Sequence, residues 1–372
     1  MKWIFQLSLL LLLSYLSGCD DDASASDDAG DLVNLGGTDI AGADIAGTDT
    51  AGADIAGTDT AGADIAGADT AGAGDTGLPP AEWVDLECID GQYRETLPSL
   101  EVDLSEHFDR YTEEGAIDFI LTILNLRYPL GEKLVEEGQM GRIGDCVEFF
   151  LRDRSSPTAI IRQLTTIVHE CGHFVDLANG GLSESHYVIT DELSFTCSGG
   201  DTNGRGGNTF ARSRINNDSY ALEACSRGAD CDFYRSVYLD GDPDNYDFEG
   251  GDQGYNSVLE ETTQYINSLA VAYAFNDYYS ASVSERDGIL TFLWYVTRYL
   301  KMAREDYPQA YDFILNNDCW RELTLTLWGR AWRYLELTDG MNTLGINDRA
   351  IKARLTNDLV SEIDRLRELQ CR

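Results

Sequence analysis

The stretch Thr165–Leu177, TTIVHECGHFVDL, contains two histidines four residues apart, with a glutamate directly after the first. Residues at i and i+4 lie on one face of an α-helix, so His169 and His173 would present both imidazole rings to one ion. Imidazole nitrogen is a common ligand of zinc and other transition metals. Two of the four histidines in the chain occupy this register, which favours a metal-binding helix over a core helix that happens to contain histidines.

Local signals predict where this helix begins and ends. Ser156 and Pro157 are typical of an N-cap and of a first helical position, and Asn-Gly-Gly at 179–181 is typical of a helix end. We therefore expect one helix over 158–178. The short apolar run Cys146–Leu151 precedes it and is expected to form a strand.

The rest of the chain after residue 80 has mostly helical patterns. Apolar periodicity predicts helices within 105–137, over 258–273 and through most of 284–372. The glycine-rich segment 182–254 is expected to be a loop-rich insertion. The sequence therefore predicts an α+β domain over 81–372 that is mostly helical, with a small sheet before the histidine-bearing helix.

The first residues have the pattern of an export signal. Residues 1–18 contain Lys2, then an apolar run, then small residues, as in a secretory signal peptide. The order Leu-Ser-Gly before Cys19 resembles the lipobox of bacterial lipoproteins, in which the cysteine is lipidated and becomes the mature N-terminus. The resemblance implies that Cys19 anchors the protein to a membrane of the bacterial cell envelope, on the periplasmic face or the cell surface, without spanning that membrane.

A low-complexity segment follows the expected lipidation site. Residues 38–72 consist of seven five-residue units with the pattern [AT]-D-[IT]-A-G, and residues 20–80 contain 14 Asp and no Lys or Arg. The units are similar to those of pentapeptide-repeat solenoids. However, seven units make fewer than two coils, and Ile alternates with Thr, so little apolar area could be buried. We expect 19–80 to be a disordered acidic stalk that holds the next domain away from the membrane.

The charge of the remaining chain excludes one class of partner. Residues 81–372 contain 51 acidic and 26 basic residues, for a net charge of −25. Binding to nucleic acid requires a basic surface that can contact phosphates. We therefore expect no nucleic-acid partner.

The cysteine content predicts disulfide bonds. Eight cysteines follow Cys19, an even number in a chain that is expected to enter an oxidising compartment. The sequence does not decide how they pair. Cys225 and Cys231 are close enough to close a short loop, and Cys371 is expected to fix the C-terminus.

His169, Glu170 and His173 match the motif H-E-x-x-H, and on this motif the chain resembles the zincin metallopeptidases. The resemblance implies a zinc ion held by the two histidines, with Glu170 as the general base that takes a proton from water. Asp176 and Asn179 occupy the positions of glycine and histidine in the longer metzincin motif, which excludes that group. The stretch from His169 to Asp176 is similar to the HExGHxxD motif of gluzincins of the anthrax-lethal-factor type.

Gluzincins take a third ligand, a glutamate, from a second helix. The best candidate stretch is Ser257–Ala270. With Glu260 as the ligand, the following apolar residues have the register seen in the ligand helices of thermolysin-like and aminopeptidase-like gluzincins, so Glu260 is favoured over Glu261. Asp252 and His186 stay as alternatives, because spacing alone does not identify a ligand.

The same resemblance gives expected roles to three more residues. Tyr255 stands before the ligand helix, as does a tyrosine of the lethal-factor-like group, and its hydroxyl would donate a hydrogen bond to the developing oxyanion. Asp176 is a candidate hydrogen-bonding partner of a metal-bound histidine. Gln264, four residues after Glu260, occupies a position at which many gluzincins have an acidic residue.

A second cation site is a further alternative. Asp240, Asp242 and Asp244 are spaced like the first ligands of a calcium loop. Gly251 stands where glutamate would close such a loop, and Pro243 is unusual inside one. A solvated acidic loop is therefore the competing interpretation.

Taken together, these patterns predict a lipid-anchored zinc metallopeptidase that acts on peptide or protein substrates. Two other functions stay open. One is a surface-tethered binding or adhesion module with a structural metal, and the other is a zinc hydrolase of a non-peptide bond. A structural site would be closed by a fourth protein ligand and would not need Glu170.

Overall fold

Helices dominate the part of the protein that the computed structural model describes, which comprises residues 83–141, 144–181, 183–200 and 254–372. These residues belong to one compact unit, Thr76–Arg372. The expected signal peptide and stalk lie outside the described residues. So do the following residues with expected roles: Cys19, Cys225, Cys231, Asp240, Asp242, Asp244 and Asp252.

In the described residues, seven helices precede a β-hairpin. They are α1 (Ile89–Gln92), α2 (Ser105–Asp109), α3 (Ala116–Arg127), α4 (Pro129–Gln139), α5 (Cys146–Phe150), α6 (Pro157–Ile161) and α7 (Leu164–Asn179). The hairpin consists of the antiparallel strands β1 (Glu184–Val188) and β2 (Ser194–Ser198).

The described C-terminal part is helical. It consists of α8 (Tyr255–Ala274), a 3₁₀ turn (Asn276–Tyr278), α9 (Glu285–Asp306), α10 (Pro308–Leu315), α11 (Asp318–Leu337), α12 (Asp348–Lys352) and α13 (Asn357–Gln370). The prediction of a mostly helical α+β domain is confirmed, as are the helix expected over 258–273 and the helical C-terminal part.

The prediction of a strand at Cys146–Leu151 is wrong, because these residues form helix α5. Asp145 caps this helix, and its side chain accepts hydrogen bonds from the backbone N–H groups of Val147 and Glu148. A short apolar run does not distinguish a strand from a buried helix by periodicity, and here the cap decides in favour of the helix. Among the described residues the sheet follows the histidine-bearing helix instead of preceding it.

The helix expected over 158–178 is divided into α6 and α7. Ser156 caps α6 as predicted, since its hydroxyl accepts a hydrogen bond from the N–H of Ala159. At the junction, the Gln163 side-chain oxygen accepts hydrogen bonds from the N–H groups of Arg152 and Asp153. These contacts hold the turn between the two helices. The predicted end at the Asn-Gly-Gly stretch is confirmed.

Helix α7 lies at the centre of the packing around the site. It contacts α8 most extensively, and it also contacts α4, α5 and β1. Helix α8 in turn packs against α9 and α11 and is buried on most of its sides. The two helices that provide the candidate metal ligands are therefore held inside the domain core. In the described part of the chain, no helix has the length and apolar character needed to cross a membrane.

The hairpin is attached to the helices along both of its outer edges. On β1, the N–H of Val188 donates to the Asp176 carboxylate at the end of α7, and the Glu184 carbonyl accepts from Gly181. On β2, the Ser198 carbonyl accepts from the Trp320 indole of α11, and Cys197 forms a disulfide with Cys319.

The start of the described chain is fixed to its C-terminal helix. The Trp83 ring stacks on Trp332 with 4.6 Å between ring centroids. Arg367 of α13 donates to the Trp83 carbonyl and to the Asp90 carboxylate. A disulfide joins Cys88 to Cys371, which confirms the expected role of Cys371 at the C-terminus.

We predict that the variant Cys88→Ala/Cys371→Ala has a free energy of unfolding lower by about 2–5 kcal/mol, because this disulfide closes a very long loop and restricts the unfolded chain. Chemical denaturation under oxidising conditions measures the difference. An unchanged free energy of unfolding would mean that the Arg367 and Trp83 contacts alone fix the two ends.

Candidate metal centre

Helix α7 brings two imidazole rings to one face. His169 and His173 are separated by one turn, and their ring centroids lie 4.7 Å apart. His169 is buried and His173 is half-buried. Between them in sequence, Cys171 forms a disulfide with Cys146 of α5. This bond ties α7 to α5 at the residue that lies between the two histidines.

Helix α8 adds a carboxylate to the two rings. The Nε2 atoms of His169 and His173 each lie 3.6 Å from Oε2 of Glu261. In the described part of the chain, these three residues form a group whose ligand atoms all lie within 4.8 Å of one another. The group could hold a metal ion.

The donor set and its dimensions fit a small divalent cation. Two ligand atoms at about 2.1 Å from a tetrahedral ion lie about 3.4 Å apart, close to the separations of Glu261 from each histidine. Two imidazole nitrogens and one carboxylate oxygen also leave one tetrahedral position for a water molecule or substrate atom.

The structure places Glu261, the alternative candidate, in this group in the position expected for Glu260. The expectation had relied on a single apolar stripe along α8. Because α8 is buried against three other helices, its apolar residues surround it, and a stripe does not identify the residue that faces the histidines. Glu261 is buried, whereas Glu260 is half-buried.

Glu260 instead contacts the other ring nitrogen of His173. Both of its carboxylate oxygens lie 2.7 Å from Nδ1. Burial alone would lower the pKa of His173, but the carboxylates of Glu260 and Glu261 outweigh burial and raise that pKa well above its usual value. In the metal-free protein the ring therefore favours its protonated form, and a metal at Nε2 would have to displace a proton.

The group that faces the Nδ1 atom of His169 is neutral. Its Nδ1 lies 3.2 Å from the hydroxyl of Ser268 on α8, and its ring meets that of Tyr265 edge to face at 4.8 Å. The two histidines thus differ in the charge of the group that orients them. The sequence pattern includes Tyr265 only in the register that follows Glu260, and it does not predict a contact of Tyr265 or Ser268 with His169.

Glu170 lies on α7 between the two histidines in sequence, and its carboxyl group interacts electrostatically with both of them. Burial raises the pKa of its carboxyl group, and the charges of Glu261 and Glu260 raise it further, while His169 and His173 oppose the shift. A carboxylate whose pKa lies above its usual value is a better proton acceptor. This environment suits the predicted role of general base.

Glu285 is a further carboxyl group near the site that had no signal in the sequence. It is the first residue of α9, it forms a hydrogen bond with the Thr165 side chain, and it interacts electrostatically with His169. Burial raises the pKa of its carboxyl group. Its separation of more than 100 residues from His169 explains why no local pattern could identify it.

Other residues with expected roles lie apart from the candidate ligands. The Tyr255 hydroxyl lies 2.9 Å from the Thr324 hydroxyl of α11 in a fully buried contact, so its expected hydrogen bond to an oxyanion finds no support in this geometry. The His186 ring lies on β1, with Nδ1 2.9 Å from the Thr196 hydroxyl of β2. His186 is not part of the group formed by the two α7 histidines and Glu261.

Asp176 and Gln264 connect to the site through hydrogen bonds. The Gln264 amide nitrogen donates to Asp176 Oδ2 at 2.7 Å and lies 3.4 Å from Glu260 Oε1. Burial, followed by the nearby charge of Glu260, raises the pKa of Asp176 well above its usual value. Asp176 is thus linked to His173 through Gln264 and Glu260.

The absence of a side chain at residue 172 allows this arrangement. A Cβ atom on Gly172 would lie 1.9 Å from Oε1 of Gln264 and 2.6 Å from its Cδ. The Gln264 side chain therefore occupies the space that any larger residue would need.

No protein-family model matches the sequence, and the comparisons with curated proteins and with solved structures likewise gave no match. The functional argument therefore depends on the residues of the site itself.

We predict that Gly172→Ala lowers the free energy of unfolding of the metal-free protein by about 1–3 kcal/mol, because the new methyl group displaces the hydrogen-bonded Gln264 amide. Alanine would otherwise stabilise a helix by about 1 kcal/mol. Gly181→Ala, just after the end of α7, is the control for the added methyl group alone, since its nearest contact would be at 3.8 Å. A Gly172→Ala variant as stable as the wild type would contradict the close contact.

Proposed function

We propose that this protein is a zinc-dependent metallopeptidase of gluzincin type. The observation that carries the proposal is the convergence of the Nε2 atoms of His169 and His173 on Oε2 of Glu261, at 3.6 Å each. The H-E-x-x-H sequence that contains both histidines supports it, because this motif also supplies a general base on the same helix. Imidazole and carboxylate ligands with an open position are typical of catalytic zinc sites.

In the proposed reaction, His169, His173 and Glu261 would hold the ion. When bound, zinc would polarise the scissile carbonyl group and make a water molecule more acidic. The Glu170 carboxylate would accept the proton of the attacking water and then donate it to the leaving amine. Burial raises the pKa of the Glu170 carboxyl group, which makes its carboxylate a better acceptor of the water proton.

We also propose that the enzyme acts at the bacterial cell envelope. The support is the lipobox-like order of residues that ends at Cys19, followed by the acidic repeat. The lipid would anchor the chain to a membrane, and the acidic stalk would separate the catalytic domain from that membrane. Peptides or proteins in that compartment would be the substrates.

We predict that the intact protein binds about one zinc ion per chain, and that Glu261→Ala weakens binding by at least 100-fold, because it removes a direct ligand. Competition with a chromogenic chelator measures the affinity. Glu192→Ala, at an exposed glutamate in the hairpin loop, is the matched control and should bind zinc like the wild type. Failure of the wild-type protein to bind zinc would reject the proposed function.

We predict that Glu170→Gln lowers the rate of peptide hydrolysis by at least 100-fold while the fold and zinc content stay unchanged, because glutamine keeps the shape of the side chain but cannot accept a proton. A fluorogenic peptide library, screened with both proteins at equal zinc content, measures the rate. If Glu170→Gln unfolds or loses zinc, the residue has a structural role, and a binding module with a structural metal becomes the better explanation.

A further inference from the structure

A line of buried hydrogen bonds crosses the domain and ends at the candidate metal centre. Arg330 of α11 lies 3.3 Å from the hydroxyl of Tyr128, which lies 3.1 Å from the side-chain oxygen of Asn267. The Asn267 amide nitrogen lies 3.0 Å from Oε1 of Gln264, whose nitrogen lies 2.7 Å from Asp176. These five residues are all buried. We call them the buried hydrogen-bond chain.

The direction of donation along this chain is fixed by its ends. An arginine side chain can only donate, so the Tyr128 oxygen accepts and its single O–H is left to donate to Asn267. The Asn267 oxygen therefore accepts, and its nitrogen donates to Gln264. The Gln264 oxygen accepts in turn, which leaves its nitrogen to donate to Asp176, an acceptor that also receives the N–H of Val188. Each amide has one orientation that satisfies its neighbours.

The buried hydrogen-bond chain continues from Gln264, through Glu260, to the candidate metal ligand His173. The same Gln264 nitrogen lies 3.4 Å from Oε1 of Glu260. Glu260 in turn accepts a hydrogen bond from Nδ1 of His173. With a metal at Nε2, the remaining ring proton is on Nδ1, where the carboxylate holds it and so fixes the direction of Nε2. The orientation of His173 therefore depends on Glu260, and the position of Glu260 depends on Gln264.

We propose that Glu260 and Gln264 are positioning residues for the metal centre, and that the buried hydrogen-bond chain holds Gln264 so that Glu260 fixes the His173 ring. This inference rests on the proposed metal-dependent function. It assigns to Glu260 a role different from that of a ligand. It also explains why two adjacent glutamates are needed on α8: Glu261 faces Nε2 of both histidines, while Glu260 faces Nδ1 of one.

The location of the buried hydrogen-bond chain indicates why amides and a tyrosine occupy these positions rather than apolar residues. Gln264 and Asn267 are one turn apart on α8, which packs against α7, and Asn267 accepts a hydrogen bond from Tyr128, the residue just before α4. Hydrogen-bonded polar groups in a core allow fewer alternative packings than apolar ones, because a displaced group loses its partner at a cost of about 1–3 kcal/mol. The chain therefore favours a single arrangement of the side chains behind His173.

The test measures zinc affinity of the intact protein by chelator competition in four variants. Glu260→Ala removes the carboxylate, and we expect it to weaken zinc binding by about 10- to 100-fold. Glu260→Gln keeps an acceptor for the His173 N–H and should recover part of that loss. Gln264→Met keeps the length of the side chain but cannot donate, and should weaken binding by about 10-fold. Thr263→Val is the control, because among the described residues this buried hydroxyl bonds within its own helix, to the carbonyl of Leu259.

A spectroscopic measurement separates positioning from a general loss of structure. The chain has four histidines, so ¹⁵N-labelled histidine gives few signals, and His173→Gln identifies that of His173. In Glu260→Ala and Gln264→Met, the Nδ1–H signal of His173 should shift, while the signals of His107 and His186 stay in place. Movement of all histidine signals would point to a damaged fold and would contradict a positioning role.

The outcomes distinguish a failure of the positioning role from a failure of the proposed zinc-dependent function. Zinc affinity that is unchanged in both Glu260→Ala and Gln264→Met would overturn the positioning role and leave the proposed function intact. Zinc lost in Glu260→Ala but kept in Glu261→Ala would make Glu260 the ligand and also overturn it. Absence of zinc binding by the wild-type protein would overturn both proposals.

Discussion

The close approach of α7 and α8 at Gly172 is the constraint on which the candidate metal centre depends. The Gln264 amide fills the place that a side chain at residue 172 would occupy, so the two helices meet at the turn that carries His169 and His173. This close approach of the two helices brings Glu261 near Nε2 of both histidines and Glu260 near Nδ1 of His173. A larger residue at this point would displace the Gln264 amide, although none of the candidate ligands would have changed.

Part of this arrangement is visible in the sequence because it depends on local spacing. The i, i+4 histidines, the Ser156 cap and the helical C-terminal part follow from helix geometry, in which neighbours in sequence are neighbours in space. Helix α8 was also predicted, since its apolar residues are numerous. A candidate glutamate ligand on this helix follows only from the resemblance to a family of peptidases.

Other features depend on contacts between distant segments, and no local pattern contains them. The choice between Glu260 and Glu261 depends on which face of α8 meets α7, and a helix buried on most sides has no apolar stripe to indicate it. The short run at Cys146 became a helix because Asp145 caps it. Glu285 approaches His169 only after α9 has packed, and Tyr128 reaches Asn267 across 139 residues of chain.

The hairpin between α7 and the described C-terminal helices has a consequence for how copies of this protein meet one another. A two-stranded ribbon normally offers two rows of backbone groups to which a strand of another molecule can add. Here the Val188 N–H and the Glu184 carbonyl of β1 are paired with Asp176 and Gly181, and the Ser198 carbonyl of β2 is paired with the Trp320 indole. These contacts leave fewer backbone groups on the described ribbon for a strand of another molecule, and the Cys197–Cys319 disulfide holds the ribbon against α11.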